Sequence, residues 1–222
     1  MFDGVAPRYD LLNHLLSLNM DRRWRRVAVR ELDGAAGPVL DLCGGTGDVS
    51  VELARTDRNR QVVCGDFSLP MLERAAGKFR RLGIDDRCFP VMADAMRLPF
   101  VDGTFGGVTV AFGVRNLPDL AVGLREILRV LAPGGRLVIL EFSQPTAPVL
   151  SGLYRFYLRR ILPRIGDRVS GRCGPYGYLA RTISAFPDAP TLADRIRSCG
   201  FSRCDWTSLT GGIVAVHTAV KG

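Results

Sequence analysis

Val39-Leu40-Asp41-Leu42-Cys43-Gly44-Gly45-Thr46-Gly47-Asp48 is a short apolar run that breaks into glycines and resumes with a helical pattern. It predicts a buried strand, a tight turn and a helix start. Glycine at such a turn tolerates positive φ and lets a ligand approach the backbone closely. A dinucleotide site would need G-x-G-x-x-G, and counted from Gly45 and Gly47 its last glycine falls on Ser50. Asp48 at the helix start would also repel a pyrophosphate where the helix dipole should attract one. Asp41 and Asp48 therefore suit a cofactor without phosphate and with a positive charge. The alternative makes Asp48 a helix cap and Asp41 a buried hydrogen-bond acceptor.

Outward from this loop, short β-rich runs alternate with segments of helical period, the pattern of a parallel sheet wrapped by helices. Strands are predicted at Pro38 to Cys43, Gln61 to Asp66, Cys88 to Ala93, Gly107 to Phe112 and Gly135 to Phe142. Helices fall near Asp48 to Arg55, Pro70 to Leu82 and Leu120 to Leu131, the last stopped by Pro133-Gly134-Gly135. Two further runs, Ser202 to Ser208 and Gly212 to Val220, are close enough to form a hairpin. Acids recur at strand ends. Asp66 closes the second strand, where a carboxylate can accept ribose hydroxyls, and Phe67 beside it offers a surface for adenine. Asp94 follows the third strand and, with Ala95, lies where the edge of an adenine would fall.

At 222 residues, nearly half hydrophobic, the chain is expected to form one domain, 1–222, with a helical N-terminal segment over 1–33, amphipathic from Tyr9 to Val29, and a helical insertion over 144–190. The formal charge of +8 rests on arginine and suits anionic partners without choosing among them. The six cysteines are scattered singly, so neither a zinc site nor a disulfide scaffold is expected, and no metal is assigned. Met1 to Arg26 carries charges every few residues, unlike a secretory signal, and no run approaches a membrane span. The expected location is cytoplasmic, at the inner face of the membrane if the substrate is lipid.

Four stretches resemble the quinone-biosynthesis C-methyltransferases, a family of class I S-adenosylmethionine-dependent methyltransferases. They are Phe2 to Asn13 continuing to Ser17 and Trp24; Phe112-Gly113-Val114-Arg115-Asn116; Arg129 to Leu137 with Glu141-Phe142-Ser143; and Tyr176, Tyr178-Leu179, Ser184, Phe186-Pro187 with the Gly211 to His217 tail. The resemblance runs almost end to end. Leu12, Asp21, Cys43 and Ala132 depart from the family's usual methionine, histidine, alanine and lysine. It implies a Rossmann-like α/β fold with a mostly parallel seven-stranded sheet, S-adenosylmethionine as cofactor, the N-terminal segment 1–33 as a helical lid over it, and a prenylated quinol as substrate. Cofactor contacts are then expected from Tyr9, Asp41, Gly44, Gly45, Thr46, Gly47, Asp66, Phe67, Asp94 and Ala95.

Methylating a ring carbon requires a quinol hydroxyl, of pKa about 10, to lose its proton. Arg115 is the first candidate to stabilise the phenolate, with Asn116 orienting the same oxygen. A plain surface arginine beside a helix-capping asparagine is the alternative. Water, Tyr9, Tyr176 and His217 are open as proton routes, and His14 reads as a helix residue. Leu150 to Arg164 mixes aromatic, aliphatic and arginine residues, as interfacial helices do. It would contact an anionic membrane, or else cover the sheet or the interface of a homodimer.

The preferred reaction is methylation of demethylmenaquinol to menaquinol, from the tail Thr210 to Ala215 and the short N-terminus. A polyprenyl benzoquinol is the alternative substrate, and a non-catalytic quinone-binding module the alternative class. A nucleic-acid methyltransferase is disfavoured: no Asn/Asp-Pro-Pro-aromatic motif follows the fourth strand, and no Pro-Cys nucleophile is present.

Overall fold

The computed structural model describes residues 17, 19–145, 147–157, 160 and 175–222. The strands are β1 Val39–Leu42, β2 Val62–Asp66, β3 Cys88–Met92, β4 Phe105–Ala111, β5 Leu131–Phe142, β6 Phe201–Leu209 and β7 Val214–Lys221. They form a seven-stranded sheet in the order β3-β2-β1-β4-β5-β7-β6. The first five run parallel, and β7 lies antiparallel between β5 and β6. This is the sheet expected from the sequence, with the terminal hairpin turned at Thr210–Gly212. Strand order reverses between β1 and β4, the switch point at which open α/β sheets bind ligands.

Alternation along each strand sends neighbouring side chains to opposite faces and builds two cores. On one face Val39, Val62, Val138 and Val216 pack against helices α1 Met20–Arg30, α2 Asp48–Thr56 and α3 Leu69–Leu82. On the other, Leu40, Leu42, Val108 and Ile139 meet α4 Leu120–Val130 and α7 Ala189–Ser198. Between them in sequence lie α5 Pro148–Phe156 and α6 Pro175–Ala185. Their Tyr154, Ala180 and Ile183 form a third, smaller cluster against Phe142 and Ile213.

Pro133-Gly134-Gly135 plays a different part from the helix stop read in the sequence. The helix ends at Val130, and the strand begins at once with Leu131, which is fully buried and pairs with Phe105. The register then shifts before Arg136 meets Gly107, so the Pro-Gly-Gly segment is an irregularity within β5. Burial of Leu131 fixes the strand start.

The described part of the predicted N-terminal amphipathic segment forms α1, which buries Trp24, Ala28 and Val29 and exposes Arg22, Arg23 and Arg30. Tyr9, Asp10 and His14 lie outside the described residues. Cys43, Cys64, Cys88, Cys199 and Cys204 are free thiols, and Cys173 lies outside the described residues. Among the described residues no helix is long and apolar enough to cross a membrane, and no group of metal-ligating side chains gathers.

Candidate functional site

The loop after β1 and the turn after β4 face each other across the switch point. A Cβ on Gly113 would lie 2.5 Å from the Cβ of Cys43, so the two segments are in direct contact. Cys43 and Phe112, each just past its strand, have φ of 57°, a left-handed conformation that non-glycine residues rarely adopt. Such strained residues cluster at functional sites because the surrounding structure must hold them.

Within the loop the glycines do different work. Gly44 leaves no room for a side chain: a Cβ would sit 2.7 Å from the Cys64 sulfur and 3.0 Å from the Asp41 carboxylate. Gly47, at φ +80°, is pressed against the Phe79 ring. Gly45, at φ +56°, faces open space. Thr46 is buried and its hydroxyl accepts from Lys78 Nζ at 3.2 Å.

Acids stand on or just past the neighbouring strand ends. One Asp41 oxygen, Oδ2, accepts from the Ser50 amide at 2.9 Å and the Ser50 hydroxyl at 2.6 Å, while Oδ1 is buried without a partner among the described residues. Burial pushes the Asp41 carboxyl up to about 7. A buried oxygen in this state is suited to a cation, which would draw it into the ionised form. Asp66 accepts from the Gly45 amide through Oδ2 and from the Ser68 amide through Oδ1, each at 2.8 Å. Each oxygen retains a lone pair for a further donor. Asp94 is exposed and accepts from Met96 N, Ala95 is buried beneath it, and Phe67 is 77% exposed at the end of β2. The predicted cofactor residues from Asp41 to Ala95 therefore line the C-terminal edge of β1, β2 and β3; Tyr9 lies outside the described residues.

Asp48 departs from its expected role. Its carboxylate is held by Lys78 at 2.6 Å and by Arg25 at 2.9 Å, and Arg25 also binds Asp21 at 2.7 Å. These cations neutralise Asp48, so its charge ties α1 and α3 to the loop instead of attracting a positive cofactor. Asp21, where histidine is usual in the resembling family, serves as the second anchor for Arg25.

Arg115 lies in the turn Val114–Asn116, and its side chain is only 4% exposed. It is no surface residue. Its guanidinium donates to Glu141 Oε1 at 2.8 Å and to the Phe112 carbonyl, and its carbon lies 5.4 Å from the Phe142 ring centre. Glu141 is 1% exposed and also accepts from the Phe142 amide at 2.9 Å. Arg115 is thus a paired cation, with Nε still buried and without a partner among the described residues. Burial raises the Glu141 carboxyl, and Arg115 works against that rise. Glu141 was not singled out as a site residue in the sequence, although a lone acid inside Leu137 to Phe142 had to find a buried partner.

Asn116 is not the cap of the following helix. Asp119 is, accepting from Ala121 N at 2.9 Å and Val122 N at 3.0 Å. His217 is buried, with Nε2 at 2.9 Å from the Ala189 carbonyl and its ring stacked on Trp206, an arrangement that fits a structural role. Tyr176 falls in α6, but its side chain lies outside the described residues. Cys43 faces the loop with a thiol that burial and nearby carboxylates push up to about 12. It stays protonated, so it offers no thiolate to compete with a substrate for an electrophile.

Comparison with known proteins bears on the family and the fold. A demethylmenaquinone methyltransferase of Mycolicibacterium gilvum is 49% identical over 222 residues, covering 100% of this chain and 93% of its own. One from Corynebacterium efficiens is 46% identical, with 100% and 92% covered. Among solved structures, a SAM-dependent methyltransferase of Thermotoga maritima matches with a TM-score of 0.70 at 17% identity, covering 100% of this chain and 98% of its own. Another, from Aquifex aeolicus, matches with a TM-score of 0.69 at 16% identity, covering 96% and 98%. These two establish the fold alone. The model of the ubiE/COQ5 methyltransferase family matches residues 1–221, and the chain belongs to that family.

Proposed function

We propose that the protein transfers a methyl group from S-adenosylmethionine to a ring carbon of demethylmenaquinol, giving menaquinol in the closing step of menaquinone formation. The observation that carries this reading is the meeting, at one switch point, of an acid-lined glycine loop with the buried Arg115–Glu141 pair. The choice of a naphthoquinol over a benzoquinol rests on the relatives that share nearly half of the sequence from end to end. Gly45, Asp66 and Arg115 are all retained, against a non-catalytic module.

The residues present fit the cofactor. Asp41 Oδ1 would take its ammonium group, Asp66 its ribose hydroxyls, and Phe67, Asp94 and Ala95 its adenine. Gly44, Gly45, Thr46 and Gly47 would let it lie against the backbone, and Tyr9 would close over it. When bound, the cofactor supplies an electrophilic methyl group on sulfur. The substrate must supply a nucleophilic carbon, and its phenol is ordinarily neutral at pH 7. Arg115 Nε–H donates to the quinol oxygen and stabilises its ionised form. Glu141 offsets part of the charge, so the help comes from a directed N–H as much as from a net cation. Asn116 orients the same oxygen. Transfer of label from S-adenosylmethionine to the ring of reduced demethylmenaquinone is the expected result. Binding of the methyl donor with the naphthoquinol left unlabelled contradicts the assignment.

A prenylated quinol is collected at a membrane, and α5 supports such contact by exposing Leu153 and Phe156 while burying Tyr154. Of the 150–164 stretch, residues 158, 159 and 161–164 lie outside the described residues. The protein is expected to float with anionic vesicles and less with neutral ones. No flotation with either, together with a dimer in sedimentation, would make the exposed strip a subunit contact instead.

A further inference from the structure

The Tyr154 side chain has no place in the chemistry described so far, yet its hydroxyl is difficult to explain as a structural feature. Tyr154 is 8% exposed and packs in the cluster with Phe142, Tyr157, Ala180, Ile183 and Ile213. Its oxygen is buried and makes no hydrogen bond among the described residues. Leaving a buried hydroxyl unpaired costs about 1–3 kcal/mol. Phenylalanine would fill the same space without that cost. A polar atom kept at the expense of stability is characteristic of a site awaiting a ligand.

Its position names the ligand. Phe142 contacts the Tyr154 cluster and lies 5.4 Å from the Arg115 guanidinium carbon. The helix Pro175–Ala185, which supplies Ala180 and Ile183 to the cluster, also contacts the turn Val114–Asn116 that carries Arg115. Two unpartnered buried donors, Tyr154 O–H and Arg115 Nε–H, therefore lie around one aromatic ring. The apolar side chains packed in this cluster include Phe142, Leu179, Ile183 and Ile213, with the Tyr157 ring beside them. A flat apolar molecule with ring oxygens complements such a surface. Burial raises the Tyr154 phenol, which keeps it a donor at neutral pH.

We propose that Tyr154 is a substrate-binding residue whose hydroxyl donates to a ring oxygen of the quinol, forming with Arg115 Nε a two-donor subsite for the oxygenated ring. This rests on the quinol reading given above. The Tyr154→Phe variant separates the role from a structural one. Unfolding temperature is expected to stay level or rise, because an unpaired hydroxyl has been removed. Affinity for S-adenosylmethionine is expected to be unchanged. The kcat/KM for reduced demethylmenaquinone is expected to fall at least about tenfold, as when a site loses a hydrogen bond to its substrate. Wild-type kcat/KM in the variant overturns the inference and leaves the quinol reading intact. A fall in unfolding temperature with weaker cofactor binding also overturns it, by showing a structural hydroxyl. A wild-type protein that never methylates the naphthoquinol removes the quinol reading and this inference together.

Discussion

Arg115→Met is expected to lower turnover at least about a hundredfold, the scale of losing one directed donor in a reaction site. It is also expected to cost about 3–5 kcal/mol of stability, because it strands the Glu141 carboxylate among apolar side chains. The stability loss has a definite pH dependence. Arg115 is the charge that restrains the rise of the Glu141 pKa above its ordinary 4.5, and removing it lets burial raise that pKa further. The folded variant then binds more protons than the unfolded chain above pH 4.5, so its stability falls as pH rises, until the folded pKa is passed. Urea unfolding at pH 5 and pH 8 should show a larger drop in the variant than in the wild type. Adding Glu141→Gln removes the stranded charge and is expected to restore most of the stability but none of the turnover. Recovery of turnover in the double variant would reduce Arg115 to a structural residue.

The second large effect separates two glycines two residues apart. Gly47→Ala places a methyl group 2.6 Å from the Phe79 ring at a backbone φ of +80°. The left-handed conformation costs about 1–2 kcal/mol for a residue with a Cβ, and overpacking about 1–3 kcal/mol more. The variant should unfold at a clearly lower temperature. Gly45→Ala incurs only the conformational cost, since its Cβ meets nothing within 4 Å. Its stability should fall by only that cost, about 1–2 kcal/mol, less than in Gly47→Ala, yet affinity for S-adenosylmethionine should fall at least about tenfold, equivalent to about 1.4 kcal/mol, because the methyl group occupies space left for the cofactor. Calorimetric titration with thermal unfolding of both variants checks this. Normal affinity in Gly45→Ala would mean that the cofactor lies elsewhere.

Much of this arrangement was legible in the residues themselves. Asp41, Asp66 and Asp94 sit on or just after successive apolar runs, and in a parallel sheet those ends share one edge, so the acids gather without any knowledge of tertiary contacts. The glycine run could be read as a turn because few other residues accept its dihedrals. Pairings across the sheet were harder. Arg115 and Glu141 are 26 residues apart and meet only because β4 and β5 lie side by side. The sequence indicated that Glu141 needed a cation without saying which. Asp48 was misread for the same reason: its neutralisation by Arg25 and Lys78 comes from two helices distant in sequence. The Pro133-Gly134-Gly135 segment misled because its local preference for a turn yields to burial of Leu131.

The central claim, methyl transfer to a naphthoquinol ring, is tested most directly by offering the purified protein labelled S-adenosylmethionine with equal amounts of reduced demethylmenaquinone and a demethylated polyprenyl benzoquinol. Label is predicted to collect on the ring carbon of the naphthoquinol, and to be missing when Arg115→Met replaces the wild type. Label on the benzoquinol alone, or on neither quinol although the methyl donor is bound, would contradict it.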